Sequence, residues 1–214
     1  MFLAIVFDFD GTLVDTNAIK REGFFHVASG YAGSSVDMEA VLASVSGDRR
    51  TIFEAYARQV MALPGEPTRQ VVDGLVASYN SMVDALVSCA PEMVGATRLL
   101  EALRRRKRKL YLSSATPLEN LQGIVAKRGW TDHFDGIFGG PASKVDTLRH
   151  VVAVTGFCPE SIAVVGDGTD DRFSAKSVGC AFFSVGEARG IQAQERIYTL
   201  PELSTALFAT KDFQ

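Results

Sequence analysis

Asp8 and Asp10 stand one residue apart at the end of the apolar run Leu3-Ala4-Ile5-Val6-Phe7, and Gly11-Thr12 follow at once. Such a run reads as a buried parallel strand, whose carboxyl end is where open α/β sheets place their ligands. Carboxylates held this close repel unless a cation or a shared proton offsets the charge, so the pair points to a divalent metal site. The alternative is an aspartate pair in a tight turn before a helix, since a motif this short also arises by chance.

Three later segments repeat the design. Lys109-Leu110-Tyr111-Leu112 runs into Ser113-Ser114-Ala115-Thr116-Pro117, and Ile162-Ala163-Val164-Val165 runs into Gly166-Asp167-Gly168-Thr169-Asp170-Asp171. Between them, Phe138-Gly139-Gly140-Pro141-Ala142-Ser143-Lys144 sets a lysine at a helix start after a glycine-rich turn. The helix dipole disfavours a cation in the first turn, so Lys144 implies a nearby anion, with a solvated lysine as the alternative.

Through four motifs in order, the chain resembles the haloacid dehalogenase superfamily of phosphotransferases. Asp8-Phe9-Asp10-Gly11-Thr12 is similar to motif one, Ser114 to the motif-two hydroxyl, Lys144 to motif three, and Gly166 through Asp171 to motif four. The likeness runs from Leu3 to about Val185. It implies that Asp8 is a nucleophile forming an aspartyl phosphate and that Asp10 protonates the leaving oxygen and then activates water. It also implies a metal held by side-chain oxygens of Asp8 and Asp167 and the backbone carbonyl of Asp10. Asp171 stands at the second motif-four acid, a position that can act through water. Magnesium is the expected ion, because hard oxygen ligands and retained waters suit it. Asp170 reads as a helix-start acid stabilised by the dipole, or as a further neighbour of the metal.

In the same scheme the Ser114 hydroxyl and the amides after it, Ala115 first, donate to phosphate oxygens, while Lys144 adds positive charge and steadies the nucleophile. Ser114 is preferred to Ser113 because Pro117 follows it by three residues, as in many family members. Gly11 permits the turn after the acids and Thr12 holds it through its hydroxyl, so both join the substrate-binding set. Dehalogenases of the superfamily lack an aspartate at the Asp10 position, which favours phosphate-ester chemistry here. Phosphonate cleavage would need a cap lysine; Lys20 keeps that option open, against its reading as a solvated or phosphate-steering cation.

These residues need elements to hold them. The interval from Phe7 to Leu110 is too long for a simple crossover and implies an inserted unit. Its content reads as helical. Phe24, Phe25, Val27 and Ala28 suggest a helix stopped near Gly30, and Met38, Val41, Leu42 and Val45 another ending before Gly47. Ile52, Phe53, Tyr56, Ala57, Val60 and Met61 form one apolar stripe, and Val71, Val72, Leu75, Val76, Tyr79, Met82, Val83, Leu86 and Val87 a longer one, with Leu63-Pro64-Gly65-Glu66-Pro67 as the turn between them. The expected organisation is a doubly wound, mostly parallel, Rossmann-like α/β core over 1–14 and 91–214, with an α-helical cap of four or five helices over 15–90. The tail from Pro201 reads as a last amphipathic helix with Leu203, Leu207 and Phe208 inward.

Such an insertion resembles the cap of phosphoglycolate-phosphatase-like and β-phosphoglucomutase-like members. Ser46-Gly47-Asp48-Arg49-Arg50-Thr51 is similar to the cap's specificity loop, where Arg49 or Arg50 would hold a carboxylate or second phosphate. The other reading is a helix N-terminus with Asp48 as its cap and two exposed arginines.

The chain has 214 residues, 47% of them hydrophobic, and a formal net charge of -3, so nothing electrostatic recommends nucleic acid as a partner. The basic cluster Arg104 to Lys109 reads as a helix end where cations meet the dipole, rather than a polyanion patch. Cys89, Cys158 and Cys180 show no metal spacing and fit a reducing compartment. His26, His133 and His150 are scattered and read as packing or surface residues. With no signal-peptide pattern and no bilayer-length apolar stretch, the expectation is a cytoplasmic protein without membrane contact, monomeric or weakly dimeric. The expected function is Mg2+-dependent hydrolysis of a small-molecule phosphate monoester. A phosphomutase is the first alternative, disfavoured because Lys20 stands where the β-phosphoglucomutase pattern carries histidine. A non-catalytic phosphometabolite-binding protein is the second.

Overall fold

The computed structural model describes residues 1–30, 35–45, 47–59, 69–186 and 197–208. Two compact units result, one of Met1–Asp15 with Pro91–Gln214 and the other Thr16–Ala90.

The first unit is built on a parallel sheet of β1 (Ala4–Phe7), β2 (Lys109–Pro117), β3 (Gly136–Gly140), β4 (Ile162–Gly166), β5 (Ala181–Val185) and β6 (Ile197–Tyr198), in the order β3-β2-β1-β4-β5-β6. β1 is central and wholly buried, as a continuous apolar run should be. Its alternation sends Ala4 and Val6 to one face, where they meet Tyr111, Val164, Leu148, Val151 and Ala175. Leu148 and Val151 come from α7 (Lys144–Thr155) and Ala175 from α8 (Thr169–Val178). The unit also holds α5 (Ala96–Arg105) and α6 (Leu118–Lys127), both packed on β2, and α9 (Leu200–Phe208), packed on α5. In α9, Leu203 and Leu207 are buried, while Phe208 carries the Arg106 guanidinium 3.8 Å above its ring. Arg104 and Lys109 of the basic cluster are tied to Asp135 at 2.7 and 2.8 Å, so the end of α5 is fastened to the start of β3.

One local reading is corrected. β2 runs past its apolar stretch to Pro117, where Ser113 pairs with Phe138 and Pro117 with Gly140, leaving β2 two residues longer than β3 between these pairings. The extra residues bulge. Gly139 and Gly140 belong to β3 rather than to a turn, and the bulge explains them. A Cβ on Gly139 would lie 2.6 Å from the Thr116 carbonyl oxygen and 2.5 Å from Leu118 Cα, so only glycine lets the bulged strand approach.

The second unit is a bundle of α1 (Asn17–Ser29), α2 (Ser35–Ser44), α3 (Arg49–Gln59) and α4 (Arg69–Cys89). Phe24, Phe53 and Tyr79 stack in its centre, with ring centroids 4.6 to 5.8 Å apart. The inner stripe of α4 is Val72, Leu75, Tyr79, Val83 and Val87, whereas Leu86 is 45% exposed. Gly23 admits this packing, since a Cβ there would lie 2.6 Å from Val83 Cγ2. Val60, Met61 and the turn at 63–67 lie outside the described residues. Among the described residues, no helix is long and apolar enough to cross a membrane.

Candidate active site

The strand order reverses direction at β1: the chain proceeds outward to β2 and β3, then returns to place β4 on the other side. The crevice between β1 and β4 is therefore the switch point, where carboxyl ends of strands present ligands. Phe7 pairs with Val165, and the Asp8 N–H donates to the Val165 carbonyl at 2.8 Å. This register sets Asp8 and Asp167 side by side.

Asp8, Asp167 and Asp171 are all buried, and each offers a carboxylate oxygen within 4.8 Å of the others. Asp171 reaches the group from α8, accepting the Gly168 N–H at 3.3 Å, and Gly166 keeps the space, since a Cβ there would lie 2.3 Å from Asp171 Cγ. Lys144 is the first residue of α7, whose N-cap Ser143 accepts the Asp146 N–H. Its ammonium donates to Asp8 Oδ1 at 2.9 Å and Asp171 Oδ1 at 2.7 Å, and lies 2.9 Å from Asp170 Oδ2. The anion expected near Lys144 is thus this carboxylate group. Asp170, 63% exposed, combines a helix-start position with the Lys144 pair.

The electrostatics follow from crowding. Asp8 is raised to about 6, chiefly by burial, with Asp10 and Asp167 adding to the rise and Lys144 opposing it. Burial likewise raises Asp171, with Asp8 adding to it and Lys144 opposing. For Lys144, burial acts downward, but Asp8, Asp171 and Asp170 outweigh it and hold the ammonium charged. Three acids and one lysine leave excess negative charge among buried side chains.

Asp10 takes a different direction. Its Oδ2 accepts Ser114 Oγ at 3.3 Å and Thr116 Oγ1 at 2.9 Å, while Ser114 Oγ accepts the Thr116 N–H at 3.0 Å. The β2 bulge turns Ser114 and Thr116 to the same carboxylate, as bulges beside active sites do. Ala115 is exposed between them, and Ser113 is buried within the regular part of β2. Thr116 is a contact that motif reading passes over; its hydroxyl in a polar strand end was the available signal. Gly11, with φ 78°, makes the turn after the acids, and Thr12 Oγ1 donates to Asp8 Oδ2 at 3.4 Å.

In the helical unit, Asp48 accepts the Thr51 N–H at 2.9 Å, and Arg49 to Thr51 are the start of α3, not a loop. Ser46 lies outside the described residues. Arg49 is bonded to Asn80 and sits 5.8 Å from the Tyr79 ring centroid, and Arg50 pairs with Asp73. Lys20 lies on α1, with its carbonyl accepting Tyr79 Oη at 3.0 Å.

A family model described as haloacid dehalogenase-like hydrolase matches residues 5–185. The chain is 27% identical over 181 residues to a phosphoglycolate phosphatase of Synechococcus elongatus, covering 82% of this chain and 80% of the relative. Among solved structures, a predicted phosphoglycolate phosphatase from Haemophilus somnus superposes with a TM-score of 0.77 at 20% identity, over 96% of this chain and 97% of that one. CbbY from Rhodobacter sphaeroides, solved in complex with phosphate, gives 0.71 at 20% identity over 95% and 96%. At such identities the two structural likenesses speak to fold alone.

Proposed function

Because the chain belongs to the haloacid dehalogenase-like hydrolase family, as a phosphoric monoester hydrolase, we propose that it is a Mg2+-dependent phosphatase hydrolysing a small-molecule phosphate monoester through an aspartyl phosphate on Asp8. The observation that carries this reading is the convergence of Asp8, Asp167 and Asp171 beside Lys144, with Asp10 turned apart to its own hydroxyl donors.

The donor set fits the metal. Hard carboxylate oxygens in a buried group with more negative than positive charge suit a small divalent cation. Asp8 and Asp167 would hold it by side chains, Asp10 by its carbonyl, and Asp171 directly or through water. When bound, Mg2+ supplies charge neutralisation for a phosphoryl group approaching an anionic nucleophile.

The chain's own groups account for the remainder. Lys144 orients the Asp8 carboxylate and offsets its charge. Ser114 and the amides from Ala115 onward receive phosphate oxygens, and the Gly11-Thr12 turn closes beside them. Asp10 gives a proton to the leaving oxygen and recovers one from the attacking water, so the first half-reaction leaves it in the form the second requires. Arg49 and Arg50 remain candidates for reading the leaving group, through rearrangement of their contacts to Asn80 and Asp73. The substrate class suggested by the Synechococcus relative is a small phosphorylated metabolite.

Asp8→Asn tests the reading. With Mg2+ and a panel of phosphorylated metabolites, the wild type should release inorganic phosphate and the variant none while keeping its far-UV circular dichroism. Full activity in the variant would reject the nucleophile assignment. Isomerised sugar phosphate in place of free phosphate would support a mutase instead.

A further inference from the structure

The Ser114 hydroxyl has one proton and two claims on it. It donates to Asp10 Oδ2 at 3.3 Å, and the proposed reaction asks it to donate to a phosphate oxygen. Once phosphate takes that proton, the contact to Asp10 is surrendered. Thr116 Oγ1 meets the same Asp10 oxygen at 2.9 Å, from the far side of the bulge. Threonine is branched at Cβ, so its χ1 is stiff and its hydroxyl keeps its aim. The backbone beneath it is pinned as well, since the Thr116 N–H donates to Ser114 Oγ at 3.0 Å and β3 is shaped to the bulge at Gly139.

We propose that Thr116 is the positioning residue for Asp10, holding its carboxyl plane through turnover while Ser114 turns to the phosphate. The inference rests on the acid-base reading of Asp10. In this scheme Thr116 keeps its hold on Oδ2, and Oδ1 carries the transferred proton. In the first half, the Asp8 oxygen bonds to phosphorus, the bond from phosphorus to the leaving oxygen breaks, and the Oδ1 proton passes to that oxygen. In the second, water oxygen bonds to phosphorus, the bond to Asp8 breaks, and a water proton returns to Oδ1.

Thr116→Val removes the hydroxyl and keeps the shape; Thr116→Ser keeps the hydroxyl. Both are compared with wild type in stopped-flow assays with Mg2+ and p-nitrophenyl phosphate, and in steady state with glycerol phosphate. p-Nitrophenolate leaves without a proton, so Thr116→Val should show a burst of about one equivalent per enzyme, then a steady rate lowered about tenfold or more. With glycerol phosphate both halves need Asp10, so kcat should fall by about the same factor with little change in KM and no burst. Thr116→Ser should restore wild-type behaviour to within about threefold, and matching circular dichroism melts would separate this from loss of fold. An active wild type with an unaffected Thr116→Val, or an equal loss in Thr116→Ser, would overturn the assignment to Thr116 alone. No phosphate release by the wild type on any substrate would overturn the phosphatase reading, and this inference with it.

Discussion

The Lys144 ammonium donates to Asp8 Oδ1 at 2.9 Å from a side chain only 14% exposed, so the cation and the proposed nucleophile share one buried environment. Asp171, at 2.7 Å on the same ammonium, depends on it as well. Removing one partner of a buried ion pair leaves an uncompensated charge and costs about 3–5 kcal/mol. Lys144→Met should therefore lower the urea midpoint of the metal-free protein at pH 7 by a corresponding amount. Added Mg2+ should recover part of the loss, because it supplies positive charge to the same carboxylates. Equal midpoints for variant and wild type at pH 7 would contradict this account.

The raised acids predict an unusual pH response for the metal-free protein. Asp8 is raised from 3.8 to about 6, so the folded state binds its proton more tightly than the unfolded state. That contribution to stability is fully present below about pH 3.8 and is lost as pH rises through about 6; Asp171 shifts the same way. Lowered acids such as Asp48 and Asp135 act oppositely, but only as pH falls below the ordinary carboxylate range. Between pH 7 and pH 5, chelator-treated protein should thus gain on the order of 1 kcal/mol. Thermal melts in EDTA at both pH values test it: Tm should be higher at pH 5, and Asp8→Asn should flatten the difference.

What the sequence makes legible here is what depends on one strand or one helix start. The buried run before Asp8, the acid-rich end of β4 and the lysine heading α7 announce themselves by local pattern, and parallel pairing of β1 with β4 suffices to join Asp8 to Asp167. Thr116 is different. Its approach to Asp10 requires β2 to hold two residues more than β3 between paired positions, and a strand does not reveal its partner's register. Gly139 and Gly140 mislead for the same reason: a glycine pair before proline reads as a turn, whereas their smallness serves the neighbouring bulge.

Asp48 offers a test confined to the helical unit. Its carboxylate accepts the Thr51 N–H and hydroxyl, both at 2.9 Å, and the backbone bond leads the effects that hold it below the ordinary carboxylate range. Replacing an N-cap aspartate by alanine costs about 0.5–2 kcal/mol. Asp48→Ala should lower Tm at pH 7 and leave the wild type little advantage once the pH falls through the depressed value and the cap is protonated. A Tm difference unchanged down to strongly acidic pH would assign the loss to something other than the cap.

Gly139 carries the sharpest consequence of the β2 bulge. An alanine Cβ would lie 2.5 Å from Leu118 Cα, 2.6 Å from the Thr116 carbonyl oxygen and 2.7 Å from the Leu118 N, and all three are backbone atoms that no side-chain rotation can move aside. The strands must separate there, and the first groups displaced are Thr116 and Ser114, both bonded to Asp10. Overpacking of this kind costs about 1–3 kcal/mol, a loss the fold can survive. Activity should suffer more, because a misplacement of about 1 Å in catalytic geometry can cost about a hundredfold. Gly139→Ala should accordingly keep a cooperative melt at reduced Tm while kcat on any phosphate monoester falls by at least about tenfold. Gly123→Ala is the control: on α6 a Cβ at Gly123 meets nothing within 4 Å, so activity and fold should persist. Wild-type kcat in Gly139→Ala would mean that the bulge does not set the position of the Asp10 donors.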